Sequence, residues 1–512
     1  MKNLLITIVL LTLAGLNAPP ATAGGTDATA YATDTSPSIR VTPPAPVFTD
    51  AERQAELARR RDAVARAMKD KSMLILFSAT PKMYTGDVDY PYRQENNLYY
   101  LTALKQNGAT LVMTKDGGNV RSFLFIPKRN PGQETWTGRT YSIEEAAKIS
   151  GIETVVNSAE LEGFLTTIKD KRSFTSKDNS FTNKLVPENI YLLTPLTDGD
   201  SEGNIEYRKE NELAKQFADY KIENAQYIFM DLRQIKSPYE IKLLQHAVDI
   251  TTEAQQRAWL AAPNAKMEYE VQAEIEYIFR KRNADFWGYP SIVGCGPNAT
   301  TLHYEESQGP VARGQLLLMD VGAEYDHYTA DVTRTIPVGG KFTKEQADIY
   351  RIVYNAQEAV AKATKPGVTM MELNQIAVDV LKNGLYDLGL ITDKNSNQYG
   401  IYYMHSVGHW LGMNVHDVGR NGPPMKAGMT FTNEPGIYIR EDALKYLLDT
   451  PENRAFIEKV RPAFEKYKNI GVRIEDDMLV TDTGVRWLTA NLPRKLEDVE
   501  AFMAGAKLPA NN

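Results

Sequence analysis

Between Leu316 and Asp477 the sequence gathers acidic and imidazole groups at the ends of apolar runs. Asp320 closes the run LLLMD, and Asp331 opens DVTRTI eleven residues later. His405, His409 and His416 lie in MHSVGHWLGMNVHDVG, Glu434 in TNEPGIYI and Glu475 in GVRIEDDMLV. Strand ends flanked by apolar residues hold side chains rigidly, which metal chemistry needs. Asp320, Asp331, Glu434 and Glu475 together carry four negative charges. Packed together without compensation they would repel one another and take protons back. Two divalent cations cancel that charge, and His409 adds a neutral nitrogen ligand. Oxygen-rich donors with one imidazole suit Mn, Zn or Co rather than copper or an iron–sulfur cluster. Two such ions about 3.5–4 Å apart stabilise both oxygens of a hydrolytic displacement. Two aspartates at this spacing would also fit a polar hairpin; the set as a whole argues for metal.

Other chemistries find less support. His405 and His409 stand four apart, but no glutamate follows the first, so this is not a helical HExxH zinc motif. Gly408 and Gly412 point instead to tight turns. There is no G-x-S-x-G elbow, and the single cysteine, Cys295, has no catalytic partner nearby in sequence. Arg473 precedes Glu475 by two residues, so on a strand both would point to one face. It could orient a carboxylate, contact substrate or form a simple salt bridge.

The elements that must hold these groups read as follows. Ser237-Pro238 with Glu240 is a helix start with a capping box, continued by Ile241, Leu244, Ala247 and Val248. A second helical pattern covers about 267–281, and YPSIVGCGPNATTLHY then reads as a strand and glycine turn ending at His303. Thr343–Gln346 is another capping box, followed by a helix to Lys365-Pro366-Gly367 and a further helix over about 370–383. The repeated helix–helix–strand order hints at an internal duplication. Upstream, 51–70 is helical, and SMLILF, ATLVMT and SFLFIP are buried strands alternating with helical segments such as 142–149, an α/β layer domain. ENIYLL and AQYIFM also look like strands, TDGDSEGN a loop, 216–220 part of a short helix, and 231–236 the interdomain linker.

The linked segments from DVGAEYDHYTADVTRTIPVGGKF through HSVGHWLGMNVHDVG and NEPGIYI to GVRIEDD resemble the pita-bread metallopeptidases, especially Xaa-Pro aminopeptidase (aminopeptidase P) and prolidase. YRQENNLYYLTAL at 92–104 and LRQIKSPYEI extend the resemblance to an N-terminal domain. It implies an α/β fold: an N-terminal creatinase-like α/β domain, then a pita-bread α+β catalytic domain. It also implies two divalent ions, Mn or alternatively Zn or Co, with Asp320 on one, Asp331 and Glu475 bridging, and His409 and Glu434 on the other. Glu434 would serve as base, His416 with His303 or His405 would steady the oxyanion, and Arg473 would orient a site group. The implied activity is removal of the N-terminal residue from peptides with proline second. The alternatives are an Xaa-Pro dipeptidase or a non-catalytic peptide-binding or scaffold protein on the same fold. The family suggests a homodimer or larger homo-oligomer. Two residues depart from the common pattern: His327 after Asp326, at the site entrance or facing solvent, and Asn414 in place of an acid. Trp136 lies in a family-like loop and is given no substrate contact.

Met1–Ala23 reads as a secretory signal, with Lys2, an apolar core and Ala21-Thr22-Ala23 before the exit. Residues 24–46 are a Pro-rich flexible leader, 47–230 the N-terminal domain, 231–495 the catalytic domain and 496–512 a tail. REDALKYLLDTPENRAFIEKVRPAFEKYKN looks like an inserted helical lid or hairpin. The reading places the protein in the periplasm or outside the cell, without stable membrane insertion once the signal is removed. Net charge is −7 with no basic block, which argues against a nucleic-acid partner.

Overall fold

The computed structural model describes residues 39–196 and 206–506. The segments read as a signal, as most of the leader, as a loop over 197–204 and as the end of the tail lie outside the described residues.

The N-terminal part is built on a six-stranded mixed sheet. Its order is Lys221–Asn224, Asn189–Leu192, Ser72–Phe77, Thr110–Asp116, Asn119–Ile126 and Thr154–Asn157. Alternation divides its side chains between two cores. Met73, Ile75, Val112, Phe123 and Phe125 face one; Leu74, Leu76, Leu111, Met113 and Leu124 face the other. Covering both faces explains why these strands read as unbroken apolar runs. The second core continues through Leu98, Leu101 and Phe229 to Leu243, Leu244 and Val248 of the catalytic part.

The catalytic part repeats one plan. Helices Pro238–Ala261 and Glu268–Lys281 precede the antiparallel sheet Ile292–Cys295, Leu316–Val321 and Val332–Pro337. Helices Lys344–Ala363 and Met370–Asp387 precede the sheet Thr430–Asn433, Asp476–Val480 and Val485–Trp487. The capping boxes at Ser237 and Thr343 are both formed. A two-stranded ribbon, Gly436–Ile439 with Ile470–Arg473, lies beside them. No described helix is long and apolar enough to cross a membrane.

Several expectations need correction. AQYIFM is not a strand but lies in a helix, Gln226–Arg233, which crosses the expected boundary at 230/231. Short apolar runs do not distinguish strand from helix; here the Asn224 side chain accepts from the Gln226 N–H and starts the turn. The strand of that region is instead Lys221–Asn224. The helix expected over 216–220 lies earlier, at Arg208–Gln216. The last residues of the supposed flexible leader are fixed: Ile39 is buried, and Thr42 donates through N and Oγ1 to Glu253 at 2.8 and 2.7 Å. The supposed tail forms a helix, Leu496–Gly505, whose Phe502 packs edge-on against Trp259. The inserted segment is helical, as expected, and of the two forms foreseen it takes the hairpin one, joining the paired strands Gly436–Ile439 and Ile470–Arg473. Its helix Pro451–Tyr467 buries Phe456, Val460 and Phe464 in a core shared with Ile349 and Val353, and Tyr467 donates to Asp348.

Candidate metal centre

Strand pairing sets the acidic residues in place. Asp320 sits opposite Thr333 in the antiparallel register, which brings Asp331, just before the second strand, to the same end of the hairpin. Glu475 lies between two strands, its N–H on the Thr333 carbonyl at 3.1 Å and its Oε2 on Thr333 Oγ1 at 2.7 Å. Glu434 follows strand Thr430–Asn433, its N–H on the Val407 carbonyl at 2.8 Å. His409 lies in irregular backbone laid along that strand: its N–H reaches Thr432 Oγ1 at 3.1 Å, and its carbonyl accepts from the Thr432 N–H at 3.0 Å. Gly408 permits this approach, since a Cβ there would stand 1.8 Å from the Thr432 carbonyl oxygen.

The side chains converge. Ligand atoms of Asp331, His409 and Glu475 lie within 4.8 Å of one another. His409 Nε2 is 3.3 Å from Asp331 and 3.4 Å from Glu434. Its Nδ1 meets the Trp410 carbonyl at 3.2 Å, which orients the ring and leaves Nε2 for a ligand role. Asp320 joins through Tyr289, whose hydroxyl stands 2.5 Å from Asp320 Oδ1 and 2.6 Å from Asp331 Oδ1.

The charges do not balance within the protein. Burial and the neighbouring carboxylates push the Glu475 carboxyl well above its ordinary range, and burial raises Asp331 although His409 opposes the rise. Burial carries Glu434 to about 7. Asp320 alone moves down: burial opposes ionisation, but the Arg473 guanidinium beside it prevails. A fifth acid, Asp477, is fully buried; its Oδ2 accepts from the Asp331 N–H at 3.1 Å, and its Oδ1 has no partner among the described residues. One guanidinium and one imidazole cannot offset this set. Divalent cations can, and the oxygen-rich donors with one imidazole fit such ions. Asp320, Asp331, His409, Glu434 and Glu475 would hold them.

The remaining sequence candidates surround this cluster unequally. Arg473 is buried and donates to Asp320, to Tyr438 OH at 2.8 Å and to Thr333 Oγ1 at 3.0 Å. It therefore orients a carboxylate. His405 is occupied at both nitrogens, Nε2 with Tyr438 OH at 2.9 Å and Nδ1 with the Ser406 carbonyl at 2.8 Å. His416 packs edge-on against His409 with centroids 4.3 Å apart, and no hydrogen bond from a described residue engages its ring. Burial, then the His409 charge, lowers it to about 4, so it is neutral at pH 7. His303 is exposed, near enough to His416 and His405 to act on both electrostatically. His327 does not face solvent, although it lines a cleft with Trp287, Tyr289 and Asn414. It is buried, stacked on Tyr99 with ring centroids 3.8 Å apart. Trp136 is 86% exposed.

Tyr289, Tyr438, Thr333 and Asp477 escaped the sequence reading. Tyrosine and threonine beside apolar residues read as core. Asp477 had one signal, the doubled acid after Glu475.

Residues 242–482 match Metallopeptidase family M24, and residues 57–175 match the aminopeptidase P N-terminal domain. The Xaa-Pro aminopeptidase of Haemophilus influenzae is 36% identical over 88% of this chain and 97% of its own. This chain belongs to the Xaa-Pro aminopeptidase family of the M24 metallopeptidases. The Xaa-Pro aminopeptidase of Escherichia coli is 32% identical over 88% of this chain and 98% of its own. A solved structure of E. coli aminopeptidase P with the inhibitor Pro-Leu matches at a TM-score of 0.75 and 30% identity, covering 88% of this chain and 98% of that one. The M24 fold accounts for the helix pairs and sheets around the centre, and an M24 enzyme of this kind works with two divalent metal ions.

Proposed function

We propose that the chain is a dinuclear-metal aminopeptidase that releases the first residue from peptides with proline in the second position. The observation that carries this reading is the convergence of Asp320, Asp331, His409, Glu434 and Glu475 from separate segments of a chain that aligns with Xaa-Pro aminopeptidases over nearly their whole length. When bound, the divalent pair acidifies water and offsets charge building on the carbonyl oxygen. Glu434, on the Thr432 hydroxyl at 3.2 Å, takes a proton from the attacking water and returns it to the leaving amine. His416, neutral and unengaged, donates to the developing oxyanion, with His303 at the rim. His405 supports Tyr438 rather than donating to substrate, because its Nδ1–H is held by the Ser406 carbonyl. Arg473 fixes Asp320. Proline lacks an N–H and has a locked φ, so a site that reads ring shape rather than that N–H accepts bonds other peptidases refuse.

The test is cleavage of Xaa-Pro, Xaa-Pro-Yaa and longer peptides by the signal-free protein, read by mass spectrometry with Mn, Co or Zn and after chelation. Release of the first residue from the longer peptides supports the proposal. Cleavage confined to Xaa-Pro makes it a dipeptidase. Metal-loaded protein that cleaves none of them sinks it in favour of a binding role. For its setting we propose export to the periplasm or beyond, on Lys2, the apolar core and Ala21-Thr22-Ala23. An N-terminus at Gly24 in exported protein supports this; Met1 retained in the cytosol opposes it. We propose a homo-oligomer, which light scattering showing the mass of a single chain would exclude.

A further inference from the structure

His416 sits on a stretch, residues 412–417, that belongs to no helix or strand. Irregular backbone must be held by bonds from elsewhere, and here two of them come from one motif of the N-terminal part. Arg93 Nη2 donates to the Met413 carbonyl at 2.5 Å. Its Nε donates to both oxygens of buried Glu324, at 2.8 and 3.0 Å, and its Nη1 to Asn96 Oδ1 at 2.9 Å. Asn96 Nδ2 in turn donates to Asn414 Oδ1 at 2.9 Å. Asn97 Oδ1 accepts from Arg233 Nη1 at 2.9 Å, and Arg233 Nη2 donates to Asp417, the residue after His416. The Thr329 N–H holds the Gly412 carbonyl at 2.9 Å. Gly412 lets the Asp417 and Lys236 side chains pack on bare backbone: a Cβ there would stand 2.2 Å from Asp417 Oδ2.

These contacts share a geometry. Glu324 lies four residues beyond Asp320, and Met413 three residues before His416. One guanidinium therefore fastens the segment leaving a metal ligand to the segment entering the oxyanion donor. We propose that Arg93 is a positioning residue: working with Asn96, it sets His416 relative to the metal ligands, so that the N-terminal domain completes the active site without touching the reacting atoms. The inference rests on the role given to His416 above. It explains why Asn96 and Asn97 are buried and Arg93 half-buried on the catalytic part although they carry no ligand. A lysine could not replace the arginine, because one ammonium lacks the planar fork that meets Glu324, Asn96 and Met413 together.

The experiment is a double-mutant cycle on the metal-loaded enzyme with an Xaa-Pro-Yaa peptide, measuring kcat, KM, metal content and melting temperature for Arg93→Ala, Arg93→Lys, His416→Ala and the pair Arg93→Ala/His416→Ala. The expected result is a fall in kcat of about 10-fold or more for Arg93→Ala, with metal content kept and KM changed by less than about 3-fold. Arg93→Lys recovers little. In the His416→Ala background, Arg93→Ala costs less than about 2-fold more, because the group it positions is gone. Full additivity of the two losses overturns the proposal. So does a raised KM at unchanged kcat, which would make Arg93 a substrate contact, and so does loss of metal, which would place its effect on the ligands. If His416→Ala alone keeps kcat, the oxyanion role itself falls and this inference falls with it. Should Arg93→Ala not fold, Asn96→Ala removes the bond to Asn414 and one acceptor of Arg93 while leaving Arg93 on Glu324 and the Met413 carbonyl, and must give a smaller loss with the same non-additivity; an unchanged kcat in that variant also counts against the proposal.

Discussion

Two buried carboxylate sites show opposite solutions to the same electrostatic problem. Glu253, on helix Pro238–Ala261, has no exposed surface, yet every demand it makes is met inside the protein. Arg282 donates twice at 2.7 and 2.8 Å, Arg257 once at 3.2 Å, and Thr42 through both N and Oγ1. Burial works against its charge, but these donors hold it at about 2. In the metal centre, Asp331, Glu434, Glu475 and Asp477 are pushed the other way, and Asp477 keeps an oxygen with no partner among the described residues. A buried charge usually requires a partner. Where the chain supplies one, the group serves the fold; where it withholds one from several acids at once, the missing charge is the clue to function.

The widest test of this contrast is metal removal. Chelation should abolish peptide cleavage and lower the melting temperature, and Mn, Co or Zn should restore both. One ion held at 100 times its dissociation constant adds about 2.7 kcal/mol of stability. Asp331→Asn and Glu475→Gln should stay inactive after the same addition. Calorimetry that shows no shift on chelation would remove the contrast altogether. Next in size is Arg473→Ala, which frees Asp320 and should cost about 10–100-fold in metal affinity or activity. Metal titration followed by peptide assay measures it, and Arg473→Lys should rescue poorly.

Glu253→Ala tests the other side. Two guanidiniums lose their acceptor, and urea unfolding should show a loss of about 3 kcal/mol while kcat of the folded, metal-loaded fraction stays the same. The smallest effect is expected from acid at the domain junction. Glu56 accepts from Ser237 Oγ at 2.8 Å and from Arg60 at 2.9 Å. Burial opposes its ionisation, but bonds from Arg59 and its other neighbours lower it from 4.5 to about 2. The folded value lies below the unfolded one, so its contribution is complete above about pH 4.5 and disappears as pH falls towards 2. Melting curves from pH 5 to 2 should slope more steeply for the native chain than for Glu56→Gln.

The acid and imidazole groups that converge in the candidate centre stood out in the sequence because they are polar groups set into apolar runs, a conflict of pattern that draws attention. Asp320 after LLLM and Glu475 after GVRI are such conflicts. The capping boxes at Ser237 and Thr343 were equally open, since the residues that make them are adjacent in the chain. Tyr289 and Tyr438 were hidden for the opposite reason: an apolar ring with a polar tip satisfies the core pattern whether or not the hydroxyl meets a metal ligand. The burial of His327 was not legible because its partner, Tyr99, lies in another domain. The helix Gln226–Arg233 was misread because a six-residue apolar run carries no usable period. The fixing of residues 39–42 and the helix Leu496–Gly505 depend on long-range contacts with Glu253 and Trp259, which no local pattern reports.

The scatter of the proposed ligands along the chain also sets an order of events. They come from five separate stretches between Asp320 and Glu475, and the last strand that aligns them, Val485–Trp487, lies later still. Closing such distant contacts is slow compared with forming local ones. The N-terminal sheet, complete by Asn224, can assemble while the ligand segments are still being synthesised. A nascent or partly folded chain therefore presents scattered acids rather than a loaded catalyst, and peptide-cleaving power arrives only with the final closure of the fold.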